Sequence, residues 1–217
     1  MNTKNTVILS VILIILATLI GIVLYPRFPA QMASHWGADN QVNGYMPRFW
    51  GVFLMPIVAL GMLLLFLAIP LIDPLKANIA KFRGYFNTFI FLLMVFLFYV
   101  QGLTLVWNLG YSNFNLGNAM LPALGLFMIY AGIMMNKSKR NWFIGIRTPW
   151  TLSSDKVWNE THRLGAKLFI ASGILSLLSL FAGQYAIWLV MLPLLVSALF
   201  LVVYSYVLYQ REPKEQK

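Results

Sequence analysis

The sequence predicts an all-α integral membrane bundle of six transmembrane helices with both termini in the cytoplasm, and two observations carry the prediction. Hydrophobic residues make up 60% of the 217 positions and charged residues 10%, whereas about a quarter of a soluble domain is charged. So much apolar surface needs lipid to cover it. The basic residues, in turn, fall in short segments between long apolar runs, in the pattern of juxtamembrane charge. The net charge of +10 therefore reports orientation against a lipid bilayer and no direct nucleic acid binding.

An α-helix rises 1.5 Å per residue, so roughly 20 residues cross a hydrocarbon core about 30 Å thick. Six stretches meet that length: Thr6 to Tyr25, Trp50 to Ile72, Tyr85 to Trp107, Leu116 to Met135, Leu164 to Phe181 and Ala186 to Tyr206. The first is longer than a signal-peptide core of about 7 to 15 residues and is followed by no small-residue cleavage site, so it reads as an uncleaved helix. Polar Asn87, Gln101 and Asn108, with Pro56, Pro70, Pro122 and Pro193, read as packing features, through interhelical hydrogen bonds and kinks. Gly117, Gly125 and Gly132 in the fourth span, with Ser172, Ser176 and Ser179 in the fifth, read as close helix contacts. Lys167, near the start of the fifth span, can carry its ammonium to the headgroups.

With the N-terminus inside, Lys4, Lys76, Lys81, Arg83, Lys137, Lys139, Arg140, Arg147, Lys156, Arg163, Lys167, Arg211, Lys214 and Lys217 are cytoplasmic, and only Arg27 and Arg48 lie outside. A five- or seven-helix count would put the basic loop before the fifth span and the basic tail on opposite sides. Trp50, Trp107, Tyr185 and Trp188 fall at outer helix ends, where aromatic belts form. The chain divides into an N-terminal two-helix unit, 1–72, with a structured extracellular loop at 26–49, and a four-helix unit, 73–217, with a cytoplasmic loop at 136–166.

Little catalysis is open to this inventory. Cysteine is absent, which removes thiolate ligands and nucleophiles together. Asp39, Asp73, Asp155, Glu160, Glu212 and Glu215 lie in loops, at helix ends or in the tail, and His35 and His162 fall on opposite sides of the membrane. No paired carboxylates, serine-histidine couple or metal cluster forms within the spans, so no enzyme, no metal and no cofactor is expected.

The two long loops carry the information. In the outer one, Pro26, Pro29, Asn43-Gly44 and Pro47 punctuate the chain into turns. In the inner one, Ser153 or Ser154 can cap a helix with Asp155 in its first turn. Val157, Trp158, Thr161, Leu164 and Leu168 then recur at helical spacing, which predicts a short amphipathic interfacial helix before the fifth span, with Lys156 and Arg163 toward lipid phosphates. Just upstream, Gly145 allows a positive φ or a close approach, Pro149 pushes Thr148 toward an extended conformation, and Arg147 is placed for a bidentate or stacked contact.

The run from Arg140 to Leu152, RNWFIGIRTPWTL, followed by Asp155, Val157-Trp158 and Thr161-His162-Arg163, closely resembles the signature of the SdpI family of bacterial immunity membrane proteins. Pro26-Arg27-Phe28-Pro29, His35-Trp36-Gly37 and Gly44-Tyr45 resemble the P-x-x-P and H-W pattern of the uncharacterised N-terminal domain that accompanies the family. The resemblance implies a multi-pass protein of the bacterial plasma membrane that protects its cell from a secreted, membrane-acting peptide toxin. For some members it also implies signalling, in which a small helix-turn-helix repressor is drawn to the membrane once toxin is engaged. On that basis Pro29, His35, Trp36, Gly44 and Tyr45 form the candidate toxin-facing surface. Asn141, Gly145, Arg147, Thr148, Pro149, Trp150, Thr151, Trp158, His162 and Arg163 form the candidate partner-binding surface on the cytoplasmic loop. The alternative function is a small exporter of an amphipathic peptide or lipid.

Overall fold

The computed structural model describes residues 1–37 and 39–212, so Lys214 and Lys217 of the expected basic side lie outside the described residues. It contains six helices long and apolar enough to cross a membrane: α1 (Thr3–Leu24), α2 (Arg48–Ile72), α4 (Arg83–Asn108), α5 (Leu116–Lys137), α7 (Asp155–Leu178) and α8 (Ala186–Arg211). Two short helices accompany them, α3 (Lys76–Lys81) and α6 (Pro149–Ser153), with a hairpin of β1 (Gln31–Trp36) and β2 (Val42–Pro47). Polar side chains set several of the starts. Asn2, Asn115 and Ser154 accept from the backbone N–H groups of Asn5, Asn118 and Val157, and each satisfies a donor that a helix N-terminus otherwise leaves free.

By packing, α4 lies against α1 and α2, while α5 and α8 both lie against α7, and α4 meets α5 between the two groups. The largest core runs from α2 through α3 and α4 to α5 and the loop after it, with Leu63, Ile79, Phe86, Ile90, Met134 and Ile144 buried together. The polar spans behave as packing features. Pro56 has no N–H to give the Val52 carbonyl one turn earlier. Buried Gln101 of α4 supplies the missing donor: its Nε2 reaches Val52 O at 3.3 Å and also Ala17 O of α1 at 3.2 Å. One amide thus joins three helices at the carbonyl a proline left open.

Between α5 and α7 the backbones nearly touch. A Cβ on Gly125 would lie 2.7 Å from the Gly173 carbonyl oxygen, and one on Gly173 would lie 2.6 Å from that of Gly125. Ser176 adds an interhelical bond from its Oγ to Leu121 O at 2.8 Å. The expected small-residue contact is therefore present at Gly125 and Ser176.

Three expectations change. The outer loop is not turns alone: residues 31–36 and 42–47 pair as an antiparallel ladder, because buried Met32 and Phe28 give that ladder an apolar seat on Val52 and Leu105. The amphipathic segment is not a separate interfacial helix. Residues from Asp155 run unbroken into the fifth span, since no breaker interrupts them and the stripe of Val157, Trp158 and Thr161 is buried by protein rather than laid on headgroups. Trp107 does not join a belt. It is packed edge-on between Trp36 and Phe114, whereas Trp50, Tyr185 and Trp188 are exposed as expected.

Candidate functional sites at the two ends of the bundle

The hairpin joins the end of α1 to the start of α2, and the signature loop joins the end of α5 to the start of α7. They therefore sit at opposite ends of the bundle.

At the hairpin end, Gln31, Met32 and Ala33 stand opposite Pro47, Met46 and Tyr45, after which the register shifts on either side of His35. Asn40 turns the chain at φ 63°, a left-handed conformation that asparagine tolerates, and its Oδ1 accepts from Leu116 N at 2.9 Å. One side chain docks β1 directly: Asn108 Oδ1 accepts from Ala33 N at 2.8 Å while its Nδ2 donates to Ala33 O at 3.0 Å. An amide at the end of α4 thus pairs with β1 as a neighbouring strand would. Of the predicted residues here, Pro29 is exposed, its carbonyl accepting from Arg48 Nε at 3.2 Å. His35 is exposed with Nδ1 against Asn43 Oδ1. Trp36 is half-buried against Trp107, Gly44 stands opposite His35, and Tyr45 is 65% exposed.

At the other end the loop is folded by its own side chains. Asn141, fully buried, accepts at Oδ1 from Phe143 N and Ile144 N, and donates from Nδ2 to Lys139 O and Ile144 O. Four bonds from one side chain fix the turn. Gly145 follows at φ 111°, and a Cβ there would collide with His162 Nε2, so both reasons for glycine apply at once. That close approach lets Ile146 N donate to His162 Nε2 at 2.9 Å. Nε2 is then an acceptor, which places the ring proton on Nδ1, where it is donated to Trp158 O at 2.8 Å. The buried imidazole lies flat on Trp158, with ring centroids 3.9 Å apart.

Thr148 caps α6 in a reciprocal capping box with Thr151 and reaches Ser205 of α8 at 3.0 Å. Thr151 Oγ1 donates to Ile146 O at 2.8 Å. Trp150 packs its ring on Tyr206 at 5.0 Å. Asn141, Thr148, Thr151, Trp158 and His162 are therefore interior, while Gly145, Arg147, Pro149 and Arg163 reach the surface and Trp150 is half-buried. Arg147 makes neither a stacked nor a bidentate contact; one Nη1 donates to Trp142 O at 2.9 Å. Arg163 pairs with Glu160 on the same helix.

Three residues outside the predicted set hold this end together. Arg140 donates from Nη1 to Leu152 O at 2.9 Å, and its Nε stands 2.9 Å from Asp155 Oδ1 as an ion pair rather than an aligned hydrogen bond. Asn78 of α3 donates to Arg140 O at 2.9 Å. Asp73, 2% exposed, accepts from Leu75 N at Oδ1 and from Trp142 N at Oδ2. The Asp-Pro step at 73–74 signals a turn in the sequence, but its long-range bond to the loop has no local signal. Trp142 itself is half exposed beside Arg147.

Fold and site define the class: a six-span helical membrane protein, with a small exposed hairpin at one end and a side-chain-bonded loop at the other. Among the described residues no group of His, Asp and Glu is placed to hold a metal ion. Residues 137–205 match the model of the SdpI/YfhL protein family, and residues 12–60 match that of a domain of unknown function, DUF1648. The two matches fall on the segments whose motifs carry the resemblance, and they contain the loop and the hairpin respectively. It is 28% identical to the Immunity protein SdpI of Bacillus subtilis (strain 168) over 205 residues, 94% of this chain and 96% of that relative. No solved structure matches it.

Proposed function

We propose that this chain is a non-enzymatic immunity protein of the bacterial plasma membrane, which protects its cell by engaging a secreted, membrane-acting peptide toxin at the hairpin end. The observation that carries this reading is similarity along nearly the full length to a protein named for immunity. The hairpin end, with only Arg27 and Arg48 as bases, faces outward; the basic end faces the cytoplasm. On the same reading, exposed Gly145, Arg147, Pro149 and Arg163, with half-buried Trp150, receive a small helix-turn-helix repressor, while Asn141, Thr148, Thr151, Trp158 and His162 shape that surface from beneath. The boundary near residue 72 separates the sensing and relaying units.

Expression in a sensitive bacterium should confer survival in the peptide fraction secreted by the bacterium that encodes this chain. Survival no better than with an empty vector would sink the proposal, and gradient-dependent efflux of peptide from proteoliposomes would reassign the chain as an exporter. Because the chain has no cysteine, orientation can be read by labelling: Gln41→Cys should react from outside the cell and Asp155→Cys only from inside.

A further inference from the structure

The two edges of the hairpin are treated differently. Arg48 N donates to Ala30 O at 2.9 Å, so residues 30 and 48 are a hydrogen-bonded pair. Pairing alternates along an antiparallel ladder, which makes Ala33 opposite Tyr45 a pair whose N–H and C=O groups point away from each other. The bonds to Asn108 agree, because both main-chain groups of Ala33 are spent on that amide. The edge of β1 is thereby closed at Ala33.

The same alternation turns the N–H and C=O of Tyr45, and the C=O of Pro47, to the outer edge of β2. Among the described residues no hydrogen bond takes them. Pro47 fits this phase, since the position that lacks an N–H is one where none is owed to β1. Tyr45 in β2, and Phe49 and Trp50 in the first turn after it, have exposed rings.

We propose that the outer edge of β2 binds an extended peptide as a third strand, with Tyr45 giving and accepting a main-chain bond, Pro47 accepting another, and apolar side chains of the peptide resting on the neighbouring rings. Such an edge recognises backbone first and side chains second. The assignment rests on the immunity reading, and makes the secreted toxin the peptide concerned. A second copy of this chain is a poorer occupant. Three main-chain bonds and a few rings fall far short of the roughly 1,200–2,000 Å² that a stable protein pair buries, whereas a peptide strand gains its affinity from bonds of this kind.

Two substitutions separate backbone from ring. Tyr45→Val removes the ring and keeps the N–H; Tyr45→Pro removes both, at a position where the β1 ladder loses nothing. In the resistance assay with the secreted peptide fraction, the Pro variant should protect about tenfold less well than the Val variant, the weight of roughly one main-chain hydrogen bond. Labelling of a cysteine at buried Ala33 that stays as slow as in the Val variant would show that the Pro variant keeps its hairpin; where it does not, hydrogen exchange at the Tyr45 amide of the unsubstituted chain decides, and should slow when the peptide fraction is added. Equal protection by the two folded variants, or an unslowed amide when exchange decides, overturns the edge and leaves the immunity reading standing. No protection by the unsubstituted chain overturns that reading and the edge with it. Cross-linking of Tyr45→Cys chains to each other that the peptide fraction does not compete would give the edge to a second copy, which also overturns the proposal.

Discussion

At the hairpin end, one amide from α4 holds Ala33, and Pro29, His35 and Tyr45 reach water. At the signature end, Asn141 alone makes four bonds, and five of the ten motif residues assigned to a partner are interior. A distinctive motif can thus be spent in two ways. In the hairpin three of the five assigned residues are open to a ligand; in the loop half of the ten are consumed in giving the backbone one shape, and only the other half can meet a partner. Arg147 shows how thin that remainder is. Its single bond to Trp142 O leaves four N–H groups of the guanidinium available.

The contrast can be broken most forcefully at Gly145. Gly145→Val combines a left-handed backbone with a collision against His162 and should cost about 3 kcal/mol, read as a lower thermal midpoint in detergent with unchanged labelling at the hairpin. An unchanged midpoint would mean that the loop relaxes freely, and the described rigidity would be wrong. Asn108→Leu should cost about 1–2 kcal/mol and act at the other end, speeding labelling of a cysteine placed at buried Ala33 without altering the signature loop. If labelling stays slow, the hairpin is held by its apolar seat and not by the amide. The smallest stability effect belongs to Arg147→Ala, within about 0.5 kcal/mol, together with loss of any toxin-induced response of neighbouring genes. A stability loss as large as that of Gly145→Val would move Arg147 from surface to scaffold.

The six spans were legible because length and hydrophobicity act locally, and charge between them supplied an expected direction. Ser154 as cap, Gly145 at positive φ and the Gly125 contact were legible for the same reason, since each rests on the stereochemistry of one residue. The hairpin was not, because its strands are held by Met32 and Asn108 meeting partners some 20 to 75 residues away in sequence. Asp73, Asn78 and Ser205 were missed for that reason too: each bonds to the loop from another helix or helix end. Burial of Trp158 went unread because an amphipathic stripe looks the same whether lipid or protein covers it.

The meeting of Pro56 with Gln101 alters how polarity inside this bundle should be valued. Gln101 is the counterpart of a donor that the chain gave up on another helix. Neither residue is then intelligible alone, and substitutions at the two sites should be judged as one change. Restoring the helical N–H at Pro56 removes half the reason for a glutamine in lipid, so the two positions are free to drift only together.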